Sequence, residues 1–180
     1  VNSGSDLILG FGASWTDAFD EYCERFPDVY FGGLNCSAQA DNLQVAKSAD
    51  HEGSFLAGAL AAMMSESGTV GCIGGQDADN INRFIVGYEE GAQYINPEVE
   101  VLKSYVGSYT DPAKGKEYSL QLMGAGADVI FQVAAGTGEG VFEAAKENES
   151  LYAIGVDSDQ DYIVEGKILT SGVKNCGNIA

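Results

Sequence analysis

The residues best suited to chemistry follow apolar runs of the kind that form buried strands. Gly136 comes after a run that ends at Ala134, Asp157 follows a run that ends at Val156, and Lys174 follows the last such run. Ligands of open parallel sheets lie beyond the carboxyl ends of the strands, so these residues are predicted to share one edge. A carboxylate beside an ammonium could bind a diol, and each hydrogen bond to a charged group contributes roughly 1.5–3 kcal/mol.

Phe84 is the aromatic candidate for the same site. It lies in the first turns of a predicted helix in which Ile81, Ile85 and Tyr88 already supply a core-facing stripe. Its ring is therefore predicted to point away from the core and to stack on a planar ligand. Stacking of a nucleobase on an aromatic ring contributes about 1–3 kcal/mol.

An enzymatic interpretation has weaker support. The segment 136–140 (Gly-Thr-Gly-Glu-Gly), with Asp157 further along, resembles a dinucleotide-binding fingerprint, but Val141 occupies the place of its last glycine. A tight turn near a ligand or a helix explains these glycines better than an NAD-dependent enzyme does. His51 has no serine or cysteine nucleophile motif around it, so no catalytic residue is predicted.

The cysteines do not predict a metal or another cofactor. Cys23, Cys36, Cys72 and Cys176 lack Cys-x-x-Cys spacing, and the single histidine does not complete a zinc set. Cys23 near a helix end and Cys36 after the next strand are predicted to lie about 20 Å apart, too far for a disulfide. Cys72 falls in an apolar strand and is predicted to be buried.

Composition excludes some partners. The formal net charge is −18, from 27 acidic and 9 basic residues, so the surface repels nucleic acids and anionic ligands. No apolar run approaches the ~20 residues that span a bilayer, and the first residues have no signal-peptide pattern. An export signal would therefore lie outside this sequence.

Apolar runs alternate with amphipathic stretches along the chain, which predicts an α/β protein with mostly parallel strands. Predicted strands cover residues 6–12, 29–35, 69–73, 99–106, 128–134, 151–156 and 167–173. Predicted helices cover residues 14–26, 51–65, 80–95, 111–123 and 138–148. Ser14 could cap the first helix, and Pro112 follows Asp111 at a favourable helix start. Residues 36–50 are polar and weakly periodic, and are predicted to be a crossover between two lobes.

Several segments together resemble the basic membrane lipoproteins, which are purine-nucleoside-binding proteins of ABC transporters. The segments, which run in order over nearly the whole chain, are 52–58 with 61–62, 70–75, 84–88, 126–130, 135–141, 154–160 and 169–174. The resemblance implies a periplasmic-binding-protein-like type I fold, with parallel sheets flanked by helices in two lobes that close over the ligand. It implies a partial first lobe at 1–47, a second lobe at 48–173, and a return crossover at 174–180.

The resemblance also implies roles for individual residues. Phe84 would contribute to the base site, Gly136 and Asp157 would meet the ribose, and Lys174 would complete the sugar site. Asn35 is a further ligand-binding candidate, although the family commonly has Asp after this strand. The family's opening strand and helix have no counterpart here, so the chain is expected to be a fragment.

The predicted function is therefore the solute-binding component of an ABC importer that binds a purine nucleoside or a similar sugar-bearing ligand in the cleft between the two lobes. The protein is expected outside the cell membrane, attached only by a lipid anchor that this sequence does not contain, with an ABC permease as its partner. A ligand-sensing domain of a receptor or regulator on the same fold is the alternative.

Overall fold

The computed structural model describes residues 4–175, except for the side chain of Ala13. The described residues form two compact units. Unit 1 contains residues 4–49 together with Asn175, and unit 2 contains Asp50–Lys174. Cys176 and residues 177–180 of the predicted return crossover lie outside the described residues.

Unit 1 is a three-stranded parallel sheet with one helix. Its elements are β1 (Leu7–Phe11), α1 (Thr16–Arg25), β2 (Tyr30–Leu34) and β3 (Leu43–Ala46), and the strand order is β1-β2-β3. Phe19 and Cys23 of α1 pack with Phe31 of β2 in a small core. On this sheet, apolar side chains such as Leu9 and Tyr30 remain exposed and line a groove of about 690 Å³.

Unit 2 is a five-stranded parallel sheet with four helices. Its elements are α2 (Asp50–Met64), β4 (Thr69–Gly74), α3 (Asp79–Ile95), β5 (Glu100–Tyr105), α4 (Pro112–Gly124), β6 (Val129–Val133), α5 (Glu139–Glu147), β7 (Tyr152–Asp157) and β8 (Ile168–Val173). The strand order is β5-β4-β6-β7-β8, and all neighbouring pairs are parallel. Strand β5 lies on one side of β4, whereas β6 and the later strands lie on the other side. The strand order therefore reverses between β4 and β6, and such a switch point commonly forms a ligand crevice at the carboxyl edge of the sheet.

Two apolar layers cover the sheet of unit 2. One contains residues of α2 and α3, such as Ala61 and Tyr88, packed with Phe131 of β6. The other contains residues of α4 and α5, such as Leu122 and Phe142. Every residue of β6 is buried, as expected for a parallel strand covered on both faces.

The predicted α/β pattern is confirmed, and each predicted element is present with ends within about two residues. Asp111 caps α4 as predicted, because its Oδ1 accepts a hydrogen bond from the Lys114 amide and Pro112 opens the helix. The predicted Ser14 cap was wrong, because Ser14 lies inside a 3₁₀ turn and α1 has no side-chain cap. The segment 36–50 contains β3, which was not predicted.

The cysteine predictions had mixed outcomes. Cys72 is fully buried, as predicted. The predicted separation of Cys23 and Cys36 was wrong, because α1 packs on β2 and both thiols contribute to the same small core. Burial raises the pKa of the Cys23 thiol, and the nearby Cys36 adds to that effect. The two thiols are free in this structure.

Helices α2 and α3 touch through glycines. A Cβ atom on Gly58 would lie 1.9 Å from the Tyr88 carbonyl oxygen, and one on Gly91 would lie 1.9 Å from the Phe55 carbonyl oxygen. Real Cβ atoms do not approach that closely, so both positions require glycine. The backbones of the two helices therefore pack directly against each other.

This contact predicts opposite effects for two substitutions in α2. Gly58→Ala should lower the free energy of unfolding by about 1–3 kcal/mol, because the added methyl group forces the helices apart. Gly53→Ala is the matched control, since no atom beyond its own turn of the helix lies within 4 Å of the place its new methyl group would take, and it should raise stability by roughly 0.5–1 kcal/mol. Urea denaturation measures both values. Equal effects of the two substitutions would contradict the close helix contact.

Candidate functional site

The carboxyl ends of β7 and β8 bring Asp157 and Lys174 together. Asp157 pairs with Val173 in the strand register, and the Lys174 amide donates to the Asp157 carbonyl oxygen at 2.9 Å. The side chains follow the same pairing, because Lys174 Nζ lies 2.9 Å from Asp157 Oδ1. The predicted neighbourhood of these two residues is therefore present, with the carboxylate and the ammonium in direct contact.

Asp157 has an unusual backbone conformation. Its φ is +67°, in the left-handed region that residues other than Gly, Asn and Asp rarely adopt. Its side chain is 57% exposed, so half of this carboxylate faces solvent although it is paired with a cation. A carboxylate that is open to solvent and adjoins a cation is suited to meet a ligand.

Lys174 is surrounded more closely than a surface lysine. Its side chain is only 16% exposed, and its Nζ also lies 3.6 Å from Oδ1 of Asp50, whose side chain is 7% exposed. The ammonium lies 4.6 Å from the centroid of the Phe84 ring. One cation therefore contacts two carboxylates and an aromatic ring, and the three ionised groups together carry one negative charge.

The expected orientation of Phe84 was wrong. Its side chain is 6% exposed and belongs to the same core cluster as Ile81, Ile85 and Tyr88. The ring packs at a tilt against Phe131 and receives the Lys174 ammonium above it. Residues three and four positions apart lie on the same face of a helix, so Phe84 shares one wide apolar face with the other three residues. The presence of those three on the core side therefore did not require Phe84 to point elsewhere.

Gly136 lies in a 3₁₀ turn between β6 and α5. Ala135 before it has a φ of +49°, and a Cβ on Gly136 would lie 3.2 Å from the Tyr109 carbonyl oxygen. The following glycines serve packing, because a Cβ on Gly138 would meet Gln132 at 1.9 Å and one on Gly140 would meet the Pro112 carbonyl oxygen at 2.0 Å. These contacts match the turn interpretation and explain the glycines without a dinucleotide.

A network of two glutamines supports the ends of β6 and β7. Gln160 Oε1 accepts hydrogen bonds from the Val156 amide at 2.8 Å and from Gln132 Nε2 at 2.9 Å. Gln132 is fully buried, and its own Oε1 accepts from the Ala134 amide. The backbone amide of Gln160 donates a hydrogen bond to Ser171 Oγ of β8. The network ties together the three strand ends that carry Gly136, Asp157 and Lys174.

Asn35 is the candidate in unit 1. It follows β2 with a φ of +57°, and its Oδ1 accepts hydrogen bonds from the Ser48 amide at 2.8 Å and the Ser48 hydroxyl at 3.0 Å. Because a backbone amide only donates, these bonds fix which atom of the amide is oxygen. Its Nδ2 is buried and has no partner among the described residues.

Two residues of this site were not predicted. Asp50 was grouped with a polar crossover, and Gln160 was included only in the segment 154–160 of the family resemblance, without a role of its own. Asp50 did carry one signal, since an acidic residue in the first helical turn is favoured by the helix dipole. Its contact with Lys174 joins the two ends of unit 2, and no local pattern reports such a pair.

Comparison with known proteins identifies the family. The model of the Bmp family, described as ABC transporter substrate-binding protein PnrA-like, matches residues 1–180. The chain belongs to this family. It is 35% identical over 193 residues to the ABC transporter nucleoside-binding protein BmpA of Lactococcus lactis, covering 98% of this chain and 55% of that protein. It is also 35% identical to basic membrane protein B of Borreliella burgdorferi, covering 98% of this chain and 53% of that protein.

Solved structures agree on the fold. An ABC transporter solute-binding protein from Aeropyrum pernix has a TM-score of 0.86 at 27% identity, covering 94% of this chain and 51% of that one. A structure described as a transcriptional activator of the comK gene from Bacillus halodurans has a TM-score of 0.83 at 31% identity, covering 99% of this chain and 61% of that one. The predicted type I periplasmic-binding-protein-like fold is confirmed.

The Bmp family consists of substrate-binding components of ABC transporters and not of enzymes. This chain spans about half the length of the curated relatives it matches. Among the described residues, no group of three acidic, histidine or cysteine side chains is placed to hold a metal ion. Within residues 4–175, every helix is too short or too polar to cross a membrane.

The glutamine network predicts a stability effect at Gln160. Gln160→Leu should lower the free energy of unfolding by about 1–3 kcal/mol, because it leaves the Val156 amide and the buried Gln132 side chain without their acceptor. Gln121→Leu is the control, since Gln121 is exposed and its side chain donates to Glu117 on its own helix, and it should change stability by less than about 0.5 kcal/mol. Thermal unfolding compares the two, and a silent Gln160→Leu would show that the network is not stabilising.

Proposed function

We propose that this chain forms part of the ligand-binding component of an ABC importer and that it binds a purine nucleoside through Asp157 and Lys174. The observation that carries the proposal is the half-exposed Asp157 carboxylate, which lies 2.9 Å from the Lys174 ammonium at the carboxyl edge of the unit 2 sheet. Family membership supports the transport role. The nucleoside binding for which the Lactococcus lactis relative is named supports the ligand class.

A ribose diol fits the chemistry of this pair. Two neighbouring hydroxyls can donate to the oxygens of Asp157, and their own lone pairs can accept from the Lys174 ammonium. Gly136 presents backbone groups on the neighbouring turn without a side chain in the way, and it is proposed to meet the sugar as well. Hydrogen bonds to charged groups give roughly 1.5–3 kcal/mol each, so the sugar would supply much of the affinity.

The base site is proposed to lie near Phe84, whose buried ring has the Lys174 ammonium 4.6 Å from its centroid. Asn35 of unit 1 stays a proposed ligand contact. The two units are proposed to be the two lobes of the binding protein. An ABC permease as partner follows from the same proposal, and the description of the family as ABC transporter substrate-binding supports it. The proposal also includes a lipid anchor that holds the protein at the outer face of the cell membrane.

Asp157→Asn tests the sugar contact without changing the backbone requirement, because Asn also tolerates a positive φ. In the full-length protein the substitution should weaken binding of adenosine, guanosine or inosine by more than about tenfold, since a charged acceptor is lost. A free purine base should bind unchanged. Titration calorimetry gives the dissociation constants.

Asp159→Asn is the matched control for that experiment. Asp159 is exposed two residues further on, and its Oδ1 accepts a hydrogen bond from the Asp161 amide, so its loss should leave nucleoside binding unchanged. Equal losses for nucleoside and free base with Asp157→Asn would remove Asp157 from the sugar site. Absence of heat with every nucleoside at high micromolar concentration would refute the ligand class.

The negative charge of the site predicts a preference for nucleosides over nucleotides. The cluster of Asp50, Asp157 and Lys174 carries one net negative charge inside a protein of net charge −18. A nucleoside 5′-monophosphate should therefore bind at least about tenfold more weakly than its nucleoside, because like charges repel at close range. The difference should shrink as salt is added, because ions screen it. Tighter binding of the monophosphate at low salt would contradict the proposed electrostatics.

The second candidate is a ligand-sensing domain of a regulator, and one observation favours it. The Bacillus halodurans protein with a TM-score of 0.83 is described as a transcriptional activator. A DNA-binding segment encoded on the same polypeptide would support the regulator, whereas a lipoprotein signal ahead of this chain would support the transport receptor. Sequencing the complete gene distinguishes the two.

A further inference from the structure

We propose that Asp50 is a positioning residue of the nucleoside site, which holds the Lys174 ammonium in place while a ligand occupies Asp157. This inference rests on the proposed function, because it assigns a role within the same site. The observation that carries it is the second carboxylate beside Lys174, at 3.6 Å, on a side chain that is only 7% exposed.

The geometry separates the two carboxylates by accessibility. Asp157 is 57% exposed and Asp50 is 7% exposed, although both contact the same ammonium. A ligand can therefore reach the oxygens of Asp157, whereas Asp50 stays behind the cation. Sugar hydroxyls that bind Asp157 compete with Lys174 for that carboxylate, and Lys174 then needs another counter-charge.

Asp50 supplies that counter-charge from a fixed position. It is the first residue of α2, and α2 is packed backbone to backbone against α3, the helix that carries Phe84. The carboxylate and the ring therefore belong to one rigid pair of helices. Together they define where the ammonium rests, at 3.6 Å from Asp50 Oδ1 and 4.6 Å from the centre of the Phe84 ring.

A lysine gains from such a restraint because its four-carbon stem is flexible. Ordering a long side chain costs free energy, and a cation that is already ordered in the free protein does not add that cost when the ligand binds. Without Asp50, the ammonium has Asp157 as its remaining carboxylate partner in the cluster. The ligand would then have to break that pair, and affinity would fall.

The experiment compares Asp50→Asn with Glu52→Gln in the full-length protein. Both substitutions remove one negative charge from the start of α2 and keep the shape of the side chain, but Glu52 is exposed. Asp50→Asn should weaken nucleoside binding roughly tenfold, whereas Glu52→Gln should leave it unchanged. Binding of the free base should be the same in both variants.

A double-mutant cycle with Lys174→Met decides whether Asp50 acts through the lysine. In the Lys174→Met background, Asp50→Asn should have no further effect on nucleoside binding, because no ammonium remains to be positioned. The same loss in both backgrounds would overturn the proposal, since Asp50 would then act on its own or through the fold.

The accessibility of the Lys174 amine can be measured without any ligand. Acetic anhydride labels free lysine amines, and mass spectrometry gives the ratio of labelling at Lys174 to labelling at Lys114, which is exposed on α4. The ratio should rise in Asp50→Asn and stay constant in Glu52→Gln. An unchanged ratio in Asp50→Asn would overturn the proposal.

The outcomes separate this inference from the proposed function. If Asp157→Asn weakens nucleoside binding and Asp50→Asn does not, the receptor function stands and the role of Asp50 falls. If no nucleoside binds the unaltered protein, the proposed function fails, and an unchanged labelling ratio in Asp50→Asn would reject the positioning role as well.

Discussion

The candidate site of this protein depends on one ammonium group held among two carboxylates and an aromatic ring. Removing a cation from water is costly unless charged partners replace the water, and Asp50 and Asp157 supply those partners for Lys174. The three charged groups come from distant parts of unit 2: the start of α2, the end of β7 and the end of β8. The arrangement therefore exists only when the whole unit is folded, and it depends on the packing of unit 2 as much as on the local loops.

The parallel sheet and the glycine contacts together make this meeting possible. Neighbouring parallel strands end at the same edge, which places Asp157 beside Lys174 through an ordinary strand register. Gly58 and Gly91 let α2 and α3 approach at backbone distance, and these helices carry Asp50 and Phe84. The glutamine network holds the strand ends from behind. The packing of α2 against α3 and the hydrogen bonds of the glutamine network thus together position the cluster around Lys174.

Much of this could be predicted from the sequence, because the alternation of apolar runs and amphipathic stretches is regular in unit 2. The strand ends gave Asp157 and Lys174, since their position depends only on where strands stop. Asp50 and the orientation of Phe84 could not be predicted, because both depend on which helix faces which end of the sheet. Strand β3 was missed for a related reason: its four residues alternate too briefly to distinguish a short strand from a polar crossover.

The left-handed backbone at Asp157 also constrains the evolution of this position. Only Gly, Asn and Asp adopt such a φ readily, so Glu, the one other side chain with a carboxylate, is a strained replacement here. A lineage that drifts away from Asp at this strand end would pass most easily to Asn or Gly and would lose the charge. The negative charge is thereby tied to a single amino acid by the shape of the chain, independently of any selection on ligand affinity.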